Sequence, residues 1–487
     1  MIRISCKNER FTYDMYHIVK SFLPDAEISQ KVDPEQELLI EMTAEEEPDL
    51  EEQACDKKVR WTFFHCREAE IADISEKREQ KRYINKKLYQ TLVKKTGEEH
   101  AWGNMTGVRP TKMIMERLEE GSSEEEIIRY MHDTYVVSEK KAMLGIEIAK
   151  REKAQLDKLD YENGYSLYIG IPFCPTTCSY CSFTSYPVAK WQDRMDEYVD
   201  ALLKELAFIA EVSKEKHLNA IYMGGGTPTT LSAQQMDRVL SFLEEHFSFE
   251  HLKEYTIEAG RPDSITEDKL RVIRKHGVGR ISINPQTMQQ KTLDVIGRRH
   301  TVEDVVRIFH LARELGFDNI NMDLIIGLPG EGKEEVAHTL QEVEKLHPDS
   351  LTIHSLALKR ATRLNLFKDK YEEMSFENSK EIMEMTQQCA GNMGMGPYYL
   401  YRQKNIAGNF ENVGYAEVDK AGIYNILIME EKQTILAAGA GASTKFVFEH
   451  GTRIERVENV KDVNNYILRI DEMLERKRVG IQKYLNG

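Results

Sequence analysis

Three cysteines, Cys174, Cys178 and Cys181, fall within eight residues of the run YIGIPFCPTTCSYCSF at 168–183. The other four, Cys6, Cys55, Cys66 and Cys389, are scattered along the chain. An odd total in a chain read as cytosolic is no disulfide framework, so the tight group points to metal or redox chemistry. Thiolates in a short loop suit zinc or an iron–sulfur cluster. Structural zinc wants four ligands, commonly in two separated pairs, and no second Cys-x2-Cys or His-x3-His completes such a set. A [4Fe–4S] cube held by three thiolates keeps one iron open for a substrate or cosubstrate.

The elements around this loop must hold it at an open face. From Tyr165, short apolar strands alternate with charged helices about every thirty residues. SLYIGIP, AIYMGGG, YTIEAG, RISINPQ, INMDLIIG and SLTIHSLAL are the strands, with helices expected at 190–213, 232–246, 266–276, 289–315 and 333–346. Six β-then-α units imply parallel strands and a partial (β/α)6 barrel, in which the loops after the strands build the active site. The cysteine loop follows the first strand directly. The fold expected is α/β, with residues 161–370 as this core. Residues 1–66 read as a small N-terminal α/β domain, 67–160 as a helical connector, and 371–487 as a C-terminal α+β cover. In that last part YYLYRQ and IYNILIM look strand-like, and a helix is expected near 461–478. The acidic run Glu45, Glu46, Glu47, Asp49, Glu51 and Glu52 reads as a solvated loop.

Composition narrows the function classes. The 487 residues carry 66 Lys+Arg against 81 Asp+Glu, a formal charge of −15, which argues against non-specific nucleic-acid binding. No run of eighteen apolar residues occurs, so no membrane-spanning helix is expected, and the start MIRISCKNERF has no apolar signal core. A cytoplasmic protein is expected, and a monomer.

Further motifs follow the cysteines in order: YMGGGTPTTL at 222–231, TIEAGRPDS at 256–264, SINPQTM at 282–288, IGRRH at 296–300 and INMDLIIGLPGE at 320–331. With Cys-x3-Cys-x2-Cys after the first strand and Tyr180 before the third cysteine, they resemble the radical S-adenosylmethionine (SAM) superfamily. Within it they look like the oxygen-independent coproporphyrinogen III oxidase (dehydrogenase) family. WGNMTGVRPTK at 102–112 and YYLYRQKNIAGNFENVGYA at 398–416 most resemble its HemZ-type branch.

The resemblance implies a [4Fe–4S] cluster on Cys174, Cys178 and Cys181, and one or two SAM molecules as cofactor. It assigns Tyr168, Gly225 and Glu258 to one SAM, and Thr227, Gln286, Arg298 and Asp323 to a second SAM or the substrate. Tyr180 and Gly226 belong to the same cofactor-binding set, and no catalytic side chain is implied beyond cluster and SAM. Glycines 224–226 would let backbone approach a ligand and offer N–H groups to an anion, or simply make a tight turn. The reaction implied converts two propionates of coproporphyrinogen III to the vinyls of protoporphyrinogen IX in haem biosynthesis. A reductant such as flavodoxin or ferredoxin is the implied partner. A tetracarboxylate tetrapyrrole on a −15 protein requires local arginines, and Arg261, Arg299, Arg402 and Gln403 are the substrate candidates.

Two positions depart from the pattern. Where well-characterised coproporphyrinogen oxidases carry a cysteine two residues after the third, this chain has Phe183, as related haem chaperones do. Those chaperones tend to carry His-Asn-x-x-Tyr-Trp late in the barrel, whereas this chain reads Glu411-Asn412-Val413-Gly414-Tyr415-Ala416. The alternative to the decarboxylase is therefore a chaperone-like haem-binding protein that keeps the cluster.

Overall fold

A computed structural model describes residues 2–6, 9–23, 26–32, 38–45, 58–66, 70, 72–359, 362–371, 374–403, 406, 410–448 and 451–485. Cys55 and all of the acidic run beyond Glu45 lie outside these. The chain forms two compact units, one of residues 1–146 with 401–411 and one of residues 147–400 with 412–487.

In the first unit, β1 (Ile2–Cys6) pairs parallel with β2 (Ile28–Val32) and antiparallel with β3 (Leu38–Glu45), which pairs with β4 (Lys58–Cys66). The core joins Ile2 and Ile4 of the sheet to Met15, Val19 and Phe22 of the helix Glu9–Phe22. Ile84, Leu88 and Leu92, spaced by four along the helix Lys77–Thr96, complete it. Ser123 caps the helix Glu124–Tyr135 in a reciprocal pair with Glu126, satisfying two otherwise orphaned backbone donors.

The second unit is organised by one parallel run of strands. It contains β5 (Gly164–Ile171), the two-residue strands β6 (Phe173–Cys174) and β7 (Tyr186–Pro187), β8 (His217–Gly225), β9 (Glu254–Glu258), β10 (Arg280–Ser282), β11 (Ile320–Ile326) and β12 (Ser350–Ser355). The six expected strands lie in the order β5-β8-β9-β10-β11-β12, each parallel to the next, with amphipathic helices between them. β5 and β8 are buried almost throughout, as strands covered on both faces must be.

The C-terminal residues extend this sheet at both edges. β13 (Gly396–Arg402) and β14 (Glu411–Ala416) lie beyond β12, to which β14 is antiparallel. β15 (Thr434–Ala438) runs parallel to β5 on its other side, followed by β16 (Ser443–Phe448) and β17 (Arg453–Glu458). β17 ends the sheet with alternating charges in RIERVE, which discourage pairing with another chain.

Two expectations need correction. IYNILIM is not a strand but part of the helix Ile423–Glu430. A short apolar run buried on several sides has no periodicity to distinguish helix from strand. Here Glu254 settles it, since its Oε2 accepts from the N–H groups of Ile423 and Tyr424 and so caps the helix. The second correction concerns RISINPQ. β10 stops at Ser282, and Gln286 forms only an isolated bridge with Leu324, its N–H donating to Asp323 O at 2.9 Å.

Candidate active site

The cysteine loop leaves β5 at the C-terminal end of the parallel strands. Its base is closed by the β6–β7 pair, with Tyr186 N–H donating to Pro172 O at 2.8 Å. The glycine loop after β8 supports it from one side. Gly226 N–H donates to Ile171 O at 2.9 Å and Thr227 N–H to Phe173 O at 2.7 Å, while the Thr227 hydroxyl reaches Cys174 Sγ at 3.5 Å. The Gly226 and Thr227 N–H groups are thus engaged by protein carbonyls, as in the tight-turn reading, while the Gly225 N–H bonds the Glu258 carboxyl. A Cβ on Gly226 would lie 2.6 Å from Phe173 O, and Gly225 has φ +100°, so close approach and a left-handed backbone both require glycine here.

The motif IGRRH supports the loop from another side. Ile296 O accepts from Ser179 N–H at 2.9 Å, and Gly297 O accepts from the Thr176 hydroxyl at 2.8 Å. Arg298, fully buried, donates to Tyr180 Oη at 3.0 Å and to Asn284 O at 2.6 Å. Arg261 donates to Thr176 O and reaches Cys178 Sγ, which removes its guanidinium from the surface and places it on the cysteine loop. Phe183 is 72% exposed, with Lys359 Nζ 5.9 Å from its ring centroid.

Polar side chains from the next strands occupy the same barrel end. Glu258 closes β9 and accepts from the Tyr222 hydroxyl. Burial raises its carboxyl to about 7; the bonds from Tyr222 and the Gly225 N–H oppose the rise, and the charge of Asp323 adds to it. Asp323, in β11, is held below the usual carboxylate range despite its burial, because His354 and the hydrogen bonds of Asn321 and Thr352 stabilise the anion. His354 Nε2 lies 3.6 Å from Asp323 Oδ2. The Tyr222 ring stacks on Tyr424 at 4.4 Å, and Tyr168 lies 6.4 Å from Tyr222, forming an aromatic wall. Gln286 has φ +68°, and its buried Oε1 lacks a hydrogen-bond partner. A strained backbone holding an unsatisfied buried acceptor is a common mark of a ligand site.

The structure therefore gathers Tyr168, Tyr180, Gly225, Gly226, Thr227, Glu258, Gln286, Arg298 and Asp323 around the strand ends nearest the three cysteines. Arg299 is exposed, whereas Arg402 belongs to the first unit. There Arg402 is buried, donating to Met105 O at 2.7 Å, and its backbone N–H donates to Val108 O. That engagement argues against a direct contact between its guanidinium and a substrate carboxylate. It also explains WGNMTGVRPTK, whose carbonyls hold the segment containing Tyr401 and Arg402. Tyr222 and Tyr424 were not anticipated; a hydroxyl inside the apolar run AIYMGGG was the available signal for the first.

Among the described residues, no three His, Cys, Asp or Glu side chains converge to hold a single metal ion. A cubane gives each thiolate its own iron, so the sulfurs of one loop need not meet at a point. Cationic and hydroxyl donors lean on these sulfurs, as anionic thiolates require, and the unsatisfied Gln286 Oε1 suits an ammonium or hydroxyl donor. The residues fit a cluster with a polar cosubstrate beside it.

Residues 168–343 match the Radical SAM superfamily, a class whose members carry a [4Fe–4S] cluster and SAM. The chain is 44% identical over 386 residues to the oxygen-independent coproporphyrinogen-III oxidase-like protein HemZ of Bacillus subtilis, covering 78% of this chain and 77% of that protein. It belongs to the HemZ family of radical SAM proteins. It is also 35% identical over 198 residues to the heme chaperone HemW of Bacillus subtilis, covering 40% of this chain and 52% of that one. The fold is that of coproporphyrinogen III oxidase HemN from Escherichia coli, a radical SAM enzyme, with a TM-score of 0.52 and 25% identity over 66% of this chain and 73% of that one. No helix among the described residues is long and apolar enough to cross a membrane.

Proposed function

We propose that this protein carries out the oxidative decarboxylation of coproporphyrinogen III to protoporphyrinogen IX. The observation that carries the reading is the set of polar residues from successive strands, Glu258 at the end of β9, Gln286 beyond β10 and Asp323 within β11, together with a cysteine loop braced by Thr227, Arg261 and Arg298. Cys174, Cys178 and Cys181 would hold the cluster. With SAM bound, that centre supplies a strongly reducing electron and a hydrogen-abstracting radical. Glu258, Gln286 and Asp323 offer acceptors to the ammonium and hydroxyl groups of SAM, and the Tyr168–Tyr222–Tyr424 wall excludes water. Each propionate loses one hydrogen atom from its β-carbon, carbon dioxide leaves, and one electron passes to an external acceptor. Exposed Arg299 remains available to a substrate carboxylate. A reductant such as flavodoxin or ferredoxin would supply the electron.

The identity shared with a heme chaperone, and Phe183 after the third cysteine, favour a second reading, haem binding and delivery without turnover. An anaerobic assay with coproporphyrinogen III, SAM, a reductant and an electron acceptor separates them. Protoporphyrin fluorescence with two equivalents of carbon dioxide supports the enzyme. Stoichiometric haem binding without turnover supports the chaperone.

A further inference from the structure

The three cysteine sulfurs receive different donors. The Thr227 hydroxyl faces Cys174, the Phe183 N–H faces Cys181, and the Arg261 guanidinium faces Cys178, with Nη1 3.4 Å from Sγ. Arg261 is only 3% exposed. Its other contacts fix the plane of the fork, with Nη1 on Thr176 O at 3.1 Å and Nη2 on Thr176 Oγ1 at 3.0 Å. Asp263 completes the set from the opposite edge, Oδ1 3.0 Å from Nε and Oδ2 2.8 Å from Nη2. The bidentate pair puts its cationic edge on Cys178 and its anionic partner one residue layer behind. His300 lies behind Asp263, its Nδ1 3.9 Å from Oδ1. Burial and the two neighbouring arginines push that imidazole down to about 3, so it adds no charge near pH 7.

A [4Fe–4S] centre becomes more negative on reduction, and its potential responds to nearby charge and to hydrogen bonds on its sulfurs. We propose that Arg261 and Asp263 act as a charge-balanced pair that sets the reduction potential of the cluster through Cys178. Both are positioning residues: neither ligates iron, and Asp263 acts through Arg261. The inference rests on the reading that the three cysteines hold the cluster. It gives the Arg-Pro-Asp of TIEAGRPDS a role beyond bracing the loop, although a guanidinium this buried would need its counter-charge in either role.

The test is a potentiometric titration of the anaerobically reconstituted full-length protein with dithionite, followed by the EPR signal of the reduced cluster. Iron and sulfide per chain are measured alongside. The variants are R261Q, R261K and D263N. Removing the cation should lower the midpoint potential, removing its counter-anion should raise it, and R261K should fall closer to the wild type than R261Q. Opposite signs for R261Q and D263N are the signature, because simple distortion of the loop gives no reason for them. Unchanged potentials at full iron content, or shifts in one direction for both, overturn the proposal. Should R261Q fail to retain the cluster, D263N decides: a raised potential supports the pair, and an unchanged or lowered one overturns it. A wild-type protein that takes up no cluster overturns the cysteine assignment itself, a result distinct from a cluster whose potential ignores both variants.

Discussion

Arg298 donates from Nη2 to the Tyr180 hydroxyl at 3.0 Å, tying the loop that follows the fourth barrel strand to the residue just before Cys181. The two are 118 positions apart in the chain, so only the side-by-side stacking of the parallel strands brings them together. The same guanidinium holds Asn284 O, which steadies the approach to Gln286.

Replacement of Arg298 by lysine should loosen both contacts. A charge-assisted hydrogen bond contributes about 1.5–3 kcal/mol, and a lysine cannot reproduce the fork. The denaturant midpoint of R298K should fall accordingly. SAM affinity, measured by equilibrium dialysis of the reconstituted protein, should weaken roughly tenfold or more, equivalent to about 1.4 kcal/mol.

Cys178→Ala should abolish the visible absorbance and EPR signal of the reconstituted [4Fe–4S] protein. Cys66→Ala and Cys389→Ala should leave them intact, since Cys66 is packed in the core of the first unit and Cys389 is buried against Leu340 O. Retention of a four-iron cluster by Cys178→Ala would remove that cysteine from the ligand set.

Gly226→Ala is expected to destabilise the second unit by about 1–3 kcal/mol, the usual range for overpacking. Its Cβ would meet Ile171 O at 2.7 Å as well as Phe173 O, and neither backbone oxygen can move without shifting the cysteine loop. Urea unfolding measures the loss, and iron content after reconstitution should drop with it.

Glu258 makes stability depend on pH. Its folded-state carboxyl titrates near 7, above the ordinary glutamate range, so between about pH 4.5 and 7 the native protein holds more protons than the unfolded chain. Its contribution is therefore full at low pH and is lost as pH rises through 7. Glu258→Gln should remove on the order of 1–3 kcal/mol of that pH dependence. Melting curves of the two proteins from pH 5 to 8 should diverge progressively, with the variant the flatter.

Within the first unit, Trp102 Nε1 donates to Glu411 Oε2 at 2.7 Å, and Lys141 pairs with the other oxygen of that buried carboxylate. Trp102→Phe removes one donor from the carboxylate and, because phenyl is smaller than indole, opens space in a fully buried site, so the cost should exceed the ~1–3 kcal/mol of the lost bond alone. Tryptophan-independent circular dichroism during thermal unfolding is the suitable probe.

The local pattern alone determined the parallel βα core and the three-cysteine loop. Both depend on short-range properties: apolar runs alternating with amphipathic helices, and ligand-type residues a few positions apart. It equally marked Glu258, Gln286 and Asp323 as polar residues in or at the ends of apolar strand runs, Asp323 within the fifth. Tertiary structure decided which donors meet which sulfurs, because Arg261 and Arg298 reach the loop only when successive strands lie side by side. It likewise drew Arg402 into the first unit and turned 423–429 into a helix capped by Glu254. A guanidinium on a long side chain takes whichever buried acceptor the fold presents, and a uniformly apolar run takes whichever shape its neighbours cap. Neither choice is written in the spacing of residues along the chain.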